Sequence, residues 1–379
     1  MALLSSLEDP SSLITLLYFL LLLPQYFVWG GVAPYSLWKK RTHPNSDSNP
    51  LPVSIIITAR NEEKNISKLL HSLIIQDYDC FEIIVIDDRS TDNTSFIVNQ
   101  FTSKYGNIKK VRLEKTNPNW SPKKYALTKG IAEAQYKNFL FIDGDCWVEN
   151  NNWINTIAPF FHHYEILIGI GLYENKQNNW VSNITQYETF HTAIQYSSFS
   201  NMGINYMAVG RNFGYNKDVY ERANGFQKHK KVLSGDDDLF VNQMSNTKNT
   251  ITIINSNALT YSSPEKDWKA WFRQKTRHVS ASYHYKFSNK LLLGALSTSH
   301  ISVYFIYLLM IPLDMANLLQ LSVLLLIRTL LMIVCFKRFT AMVGEKIKWW
   351  HIPILDLMLI AYQILIGVSS VISKRKTWI

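Results

Sequence analysis

Cysteine is scarce in this chain. Cys80, Cys146 and Cys335 are the only three, and no two of them share a CxxC spacing. A disulfide scaffold and a thiolate metal clip are therefore excluded as the basis of the fold, and the usage fits a reducing compartment. The histidines His162, His163, His191 and His229 show no metal-ligand spacing either. Internal repeats and low-complexity tracts are absent. Acidic residues are in deficit, 29 Asp and Glu against 39 Lys and Arg, for a net charge of +10. Yet no basic stripe runs through the polar part of the chain, as nucleic-acid binding would need. The clusters at 39–41, 337–338, 346–348 and 374–376 sit beside apolar runs instead, where they suit an anionic membrane surface.

The apolar runs themselves are long. Residues 12–32 (SLITLLYFLLLLPQYFVWGGV) contain no charge and match the roughly 20 residues that cross a hydrocarbon core as a helix. A cleaved signal peptide needs a basic segment before the run, and MALLSSLEDP has none. Lys39, Lys40 and Arg41 follow it, so the expectation is an uncleaved anchor with residue 39 onward in the cytoplasm. Three further runs occupy 291–313, 318–336 and 352–373, of which the second carries Arg328 near its middle. A charge at that depth is costly, so Arg328 is expected to face protein or water. Four spans would leave the tail KRKTW outside and three would leave it inside. One C-terminal segment is therefore expected to be interfacial or re-entrant.

Between anchor and tail the pattern changes. The stretch 42–52 (THPNSDSNPLP) reads as a polar linker. VSIIITA (53–59) is a continuous β-branched run, as in a strand buried on both faces. In 61–76, apolar residues at Ile66, Leu69, Leu70, Leu73 and Ile74 have helical spacing. The pair recurs: FEIIVID, STDNTSFIVNQF, IKKVRLE, SPKKYALTKGIAEAQ and NFLFID read as strand, helix, strand, helix and strand. Such alternation predicts a parallel sheet covered by helices, with ligands at the carboxyl ends of the strands. Carboxylates gather at those ends, in ARNEE, in DDRSTD and in DGD.

Asp143 and Asp145 of DGD suit a divalent cation. Mg²⁺ and Mn²⁺ accept one or two carboxylates and complete their shell with substrate phosphates and water. Asp88, at the end of the second strand, can accept hydrogen bonds from a nucleobase or ribose. A third acidic group, Asp236, Asp237 and Asp238 in SGDDDLF, has no basic neighbour in sequence.

The order VSIIITARNEEKNISKLL, FEIIVIDDRSTDNT, KKYALTKGIAEAQYKNFLFIDGDC, GRNFGYNKDVYERANGF, SGDDDLF and QKTRH resembles the inverting family 2 glycosyltransferases over residues 53 to about 280. The resemblance implies the α/β GT-A fold, with one N-terminal and two to three C-terminal transmembrane helices. It implies an anchor (1–41), the linker, a GT-A catalytic domain (53–260), an amphipathic interface region (261–290) and a transmembrane region (291–379). It further implies that Ala59 and Glu62 line the nucleoside pocket, that Asp88 touches the base and that Lys124 meets the pyrophosphate. Asp143 would contact ribose or metal, and Asp145 would ligate Mg²⁺ or Mn²⁺.

Two alignments of the acidic run make either Asp237 or Asp236 the general base, with Asp237 favoured, and Asp238 is expected to anchor the helix that follows. Gln274 and Arg277 of QKTRH would reach the acceptor or diphosphate, although His278 stands where the family motif has tryptophan. Trp268, Trp271 and Phe272 are expected on an amphipathic interface helix. Arg211 and Asn212 are read either as donor contacts or as parts of a structural turn. The implied activity is transfer of a sugar, hexosyl or N-acetylhexosaminyl, from a nucleotide-sugar donor such as a UDP-sugar to a lipid-linked or polysaccharide acceptor, with inversion. Two alternatives are a polyprenyl-phosphate glycosyltransferase and a silent nucleotide-sugar-binding subunit.

Overall fold

The computed structural model describes residues 10–39, 49–174, 179–265, 267–312 and 315–372. Most of the linker and the tail KRKTW lie outside the described residues. The first strand, β1 (Val53–Ala59), is buried at all seven positions. It lies parallel between β2 (Phe81–Asp88) and β4 (Asn138–Asp143), and β3 (Ile108–Leu113) adds outside β2. After β3 the chain returns to the other side of β1, so the order reverses between β1 and β4. That reversal opens a crevice at their carboxyl ends. Register places Thr58 beside Asp143 and Ala59 beside Asp87.

Beyond β4 the sheet turns mixed. Strand β8 (Phe213–Asn216) pairs antiparallel with β4 and with β6 (Ile166–Ile168), and β9 (Thr250–Thr252) closes the edge parallel to β6. A second sheet of β5 (Cys146–Trp147), β10 (Leu259–Ser262) and β7 (Ile170–Tyr173) stands beside the crevice.

Alternation along the strands divides the core. Ile55, Ile57, Ile83 and Val85 pack with α3 (Ile66–Ile74) and α4 (Thr94–Lys104). Ile56, Ile84, Ile86, Phe139 and Phe141 pack on the other face with α5 (Pro122–Ala132) and α7 (Trp180–Ser200). In chain order the short α6 (Trp153–Ile157) lies between these helices, and the short α8 (Lys217–Arg222) follows β8.

Among the described residues, four helices are long and apolar enough to cross a membrane. The first is α1 (Pro10–Tyr26), continued through a π-helical turn at Phe27–Val32 into α2 (Ala33–Trp38). The others are α11 (Phe287–Met310), α12 (Met315–Val343) and α13 (Ile352–Ile372). Arg328 of α12 faces protein, as its cost in lipid demands. Its guanidinium pairs with Asp356 of α13 and also donates to Gln25 Oε1 of α1 at 3.0 Å. Tyr304 of α11 and Tyr187 of α7 each donate to Asp356 at 2.7 Å. One buried polar cluster thus joins four apolar helices to the α/β part.

Candidate active site at the strand ends

The loops at the crevice are stitched to one another. After β1 the chain turns at Asn61, whose φ of 58° is left-handed, and after β2 it turns at Arg89 in the same conformation. Asn61 N donates to Ser90 Oγ at 3.0 Å, Glu62 N to Thr94 Oγ1 at 2.7 Å, and Glu63 N to Asp92 Oδ2 at 3.1 Å. Residues 61–65, expected to be helical, are instead spent on this latch, and α3 begins only at Ile66.

Ala59, Glu62 and the DGD turn come together. Gly144 permits this, because a Cβ there would lie 3.1 Å from both Glu62 Cγ and the Thr58 carbonyl. Burial pushes the Glu62 carboxyl up to about 7 against an opposing hydrogen bond from Asn65, and the charges of Asp145 and Asp143 add to the rise. Asp145, in the turn after β4, is exposed. Desolvation by the surrounding protein raises its pKa, and repulsion from Asp143 raises it further.

Asp143 and the acidic run meet on one lysine. Lys123 Nζ lies 2.8 Å from Asp143 Oδ1 and 2.9 Å from Asp236 Oδ2. Burial disfavours the Lys123 charge, but Asp143, Asp236 and Asp237 outweigh it and hold the ammonium firmly protonated. Burial likewise opposes charge on Asp236, yet Lys123 and then Lys124 keep its pKa below the usual range.

Asp237 behaves differently. Burial, and then the adjacent Asp236 charge, push it up to about 6. Its side chain accepts from Asp238 N at 2.7 Å and from Gly210 N. It is therefore Asp237 that caps α9 (Asp238–Met244). Asp238, expected to serve that helix, instead accepts from Ala208 N at 3.2 Å and from the Tyr285 hydroxyl at 2.8 Å.

Lys124 corrects the expectation most clearly. Its side chain is fully buried, and Nζ donates to the carbonyls of His229, Val232 and Ser234 at 3.1, 2.7 and 2.7 Å. Burial pulls its pKa down to about 8. It fixes the loop that delivers the aspartates and does not face the crevice. Lys123, the residue sequence reasoning missed, does. The signal was in the spacing: Lys124, Leu127 and Ile131 share the buried side of α5.

The remaining residues are distributed around this centre. Asp88 is buried, and Arg89 donates to both its oxygens, at 2.7 and 3.1 Å. A base reaching Asp88 has to replace that pairing. Asn212 is structural, donating to the carbonyls of Ile170 and Ala258 at 2.8 and 2.7 Å. Arg211 donates to Gly171 O at 2.9 Å and to Ser262 Oγ at 3.0 Å, and lies over the Tyr173 ring. Gln274 takes the Tyr173 hydroxyl at 3.3 Å, on α10 (Trp268–Val279). Arg277 of the same helix is exposed, and its carbonyl accepts from Ser234 Oγ at 3.3 Å. Trp271 is buried against Tyr362 of α13, at 5.2 Å between rings, whereas Trp268 is exposed.

Asp143 and Asp145 fit a hard divalent cation. No group of three or more His, Cys, Asp or Glu side chains that could hold a metal occurs among the described residues. Two carboxylates facing an open crevice match an ion that takes the rest of its shell from phosphates and water. The mutual repulsion that raises Asp145 is what such an ion relieves.

The model of "Glycosyl transferase family 2" matches residues 54–223, and that of "Glycosyl transferase family group 2" matches residues 139–365. The chain is 27% identical over 285 residues to the probable glycosyltransferase YdaM of Bacillus subtilis, covering 70% of this chain and 63% of that protein. It is 36% identical over 119 residues to the poly(ribitol-phosphate) beta-N-acetylglucosaminyltransferase TarS of Staphylococcus aureus, covering 30% of this chain and 20% of TarS. The chain thus spans less than two thirds of the length of these relatives. Among solved structures, the mannosyltransferase PcManGT of Pyrobaculum calidifontis superposes with a TM-score of 0.60 at 16% identity, covering 96% of this chain and 99% of that one. At that identity the likeness concerns the fold. With the GT-A arrangement of strands and the family match over more than half its length, the chain belongs to the family 2 glycosyltransferases.

Proposed function

We propose that the protein transfers a sugar from a nucleotide-sugar donor, a UDP-sugar, to the hydroxyl of a lipid-linked or polysaccharide acceptor at the cytoplasmic membrane face, inverting the anomeric centre. The observation that carries the reading is the Lys123 bridge. A lysine from α5 holds Asp143 of the strand-end loop against Asp236 of the acidic run, setting a cation-ready carboxylate pair and Asp237 around one crevice.

In this reading Ala59, Glu62 and the Asp88–Arg89 pair flank the nucleoside. Asp143 and Asp145 hold Mg²⁺ or Mn²⁺, which when bound offsets charge on the departing diphosphate. Asp237 takes the proton from the acceptor hydroxyl as its oxygen bonds to the anomeric carbon. The bond from that carbon to the phosphate oxygen breaks, and its electron pair leaves with the nucleoside diphosphate. A pKa raised to about 6 favours Asp237 over the lysine-paired Asp236 for this role. Gln274 and Arg277 are assigned to the acceptor side, and the likeness to a poly(ribitol-phosphate) N-acetylglucosaminyltransferase supports a polymeric acceptor. The basic residues at 337–338 and 346–348 lie at the α/β end of α12, which supports a cytoplasmic α/β domain.

The test is a membrane assay with radiolabelled nucleotide sugars, with and without Mn²⁺, on the natural protein and on Asp145→Ala and Asp237→Ala. Both variants are expected to lose transfer, with UDP-sugar binding surviving better in Asp237→Ala. Robust transfer by both would overturn the assignment. Transfer that ignores Asp236 and Asp237 would mark a phosphate acceptor, and UDP binding with no turnover a silent subunit.

A further inference from the structure

Length and composition put α13 among the membrane-crossing helices, but its contacts do not. His351, just before α13, has its ring 6.1 Å from that of Trp180 at the start of α7. One turn on, Asp356 takes the Tyr187 hydroxyl of the same helix at 2.7 Å. Further along, Tyr362 packs on Trp271 of α10 at 5.2 Å, and Ser369 meets Thr276 of α10 at 3.5 Å. Helix α10 belongs to the α/β part. Its Lys275 pairs with Glu188 of α7, and its Arg277 carbonyl holds Ser234, next to the acidic run. Residues 351–369 cover about 27 Å at 1.5 Å per residue. A helix crossing a hydrocarbon core of about 30 Å would carry Ser369 to the far side. Ser369 is instead held at the α/β domain.

The opposite side of α13 is apolar and bare. Ile354, Leu357, Ile364, Leu365 and Val368 are each 45–59% exposed and recur at helical spacing. The loop leading in presents Lys346, Lys348, Trp349 and Trp350, all exposed, which is the composition of a headgroup-level anchor. We infer that α13 is not a span but an interfacial helix, which lies in the plane of the α/β-side leaflet with its apolar stripe in the lipid and its polar side against α7, α10 and the Arg328 cluster. Three helices, α1, α11 and α12, then cross the membrane, and the chain leaves α13 on the side where the α/β domain lies. Because α10 borders the acidic run on one side and packs on α13 on the other, a single helix separates the active-site loop from the one that contacts lipid.

Two measurements on the full-length protein decide this. In sealed vesicles of either orientation, a membrane-impermeant maleimide reads which side a thiol faces. Cys80 is exposed on the α/β domain and serves as the native reference, while Cys146 and Cys335 are buried. A Cys80→Ser, Ile379→Cys variant is expected to be labelled from the same side as native Cys80. Labelling from the opposite side would overturn the inference. Depth is read by coupling a fluorophore to Ile354→Cys, Leu357→Cys, Leu365→Cys and Val368→Cys and quenching with phospholipids brominated at graded acyl positions. All four are expected to be quenched at one shallow depth, whereas Val323→Cys in α12 is quenched deeply. Deep quenching of Leu357→Cys and Leu365→Cys would make α13 a span. Lack of quenching at all four would remove the stripe from lipid, and either result rejects the proposal.

Discussion

Two charged clusters are built into this molecule on opposite plans. In the helix bundle one guanidinium, Arg328, meets one carboxylate, Asp356, and amide and hydroxyl groups from α1, α7 and α11 supply the remaining hydrogen bonds. Both side chains are at most 1% exposed. At the strand ends Lys123 pairs with Asp143 and Asp236, while Asp145 and Asp237 lie beside them with raised pKa values, and the crevice stays open to water. A balanced, closed cluster has nothing left to bind and acts as a joint between helices. An unbalanced, open one stores repulsion that a cation and a proton relieve, and Asp237, raised to about 6, records that imbalance.

The largest expected effects separate the two plans. Asp237→Asn removes the proposed proton acceptor while keeping its shape, so kcat should fall by about 10²–10⁴, the span of general-base contributions. Membrane insertion and thermal stability should be unchanged. In the natural protein the same group has to be ionised to act. Transfer should therefore decline as pH falls through about 6, by about tenfold per unit below it, and the Asp237→Asn residue of activity should lose that dependence. A pH profile of kcat that is flat between 5 and 7, taken as order-of-magnitude bounds about the Asp237 value, would remove Asp237 from the role.

The joint should fail in the other currency. Asp356→Leu leaves Arg328 buried without its counter-ion, a loss of about 3–5 kcal/mol by analogy with other buried pairs. The check is the unfolding temperature in detergent, with kcat of the surviving folded fraction near the natural value. Arg328→Met combined with Asp356→Leu should recover most of the loss, because an apolar pair needs no partner. A double variant as unstable as the single one would mean that the cluster specifies how the helices meet rather than merely neutralising itself.

The neighbouring lysines divide along the same line. Lys124→Met abandons three carbonyls, with a cost of about 1–3 kcal/mol for a buried acceptor left unpaired, and loosens the loop that presents Asp236 and Asp237. Lys123→Met should depress turnover most, with a smaller thermal loss than Lys124→Met because Asp143 and Asp236 keep some access to water. Equal thermal losses in the two variants would erase the distinction drawn between them.

How much of this could be read beforehand depends on which physical signal each feature carries. The parallel strands and their acidic ends were legible, because seven consecutive buried positions in β1 leave a run of β-branched residues with no polar interruption. The acidic run at 236–238 was legible because three aspartates without a counter-ion need one from elsewhere. The choice between Lys123 and Lys124 was written in the spacing of α5, where Lys124 falls on the side of Leu127 and Ile131, but it runs against the usual exposure of lysine. Asp237 as helix cap in place of Asp238 depended on a one-residue boundary. The partner of Arg328 was equally hidden. Asp356 lies 28 residues away, and only the packing of α12, α13 and α7 brings them together.

Glycine offers the finest discrimination between the two regions. A Cβ at Gly210 would lie 2.9 Å from Asp237 Oδ2, 3.4 Å from its Cγ and 3.5 Å from Lys123 Nζ. The carboxylate must then move a few tenths of an ångström and lose the hydrogen bond from Gly210 N, while the α/β core is untouched. Gly210→Ala is thus expected to lower kcat by about tenfold, or about 1.4 kcal/mol, near the low end of the roughly 1.5–3 kcal/mol of a hydrogen bond to a charged group, with little change in unfolding temperature. In the bundle a Cβ at Gly294 of α11 meets nothing within 4 Å. Gly294→Ala there should leave turnover alone and stabilise the helix by up to about 1 kcal/mol, the propensity difference between the two residues. If both substitutions proved silent in turnover, the close packing of the backbone against Asp237 would have no part in setting its geometry.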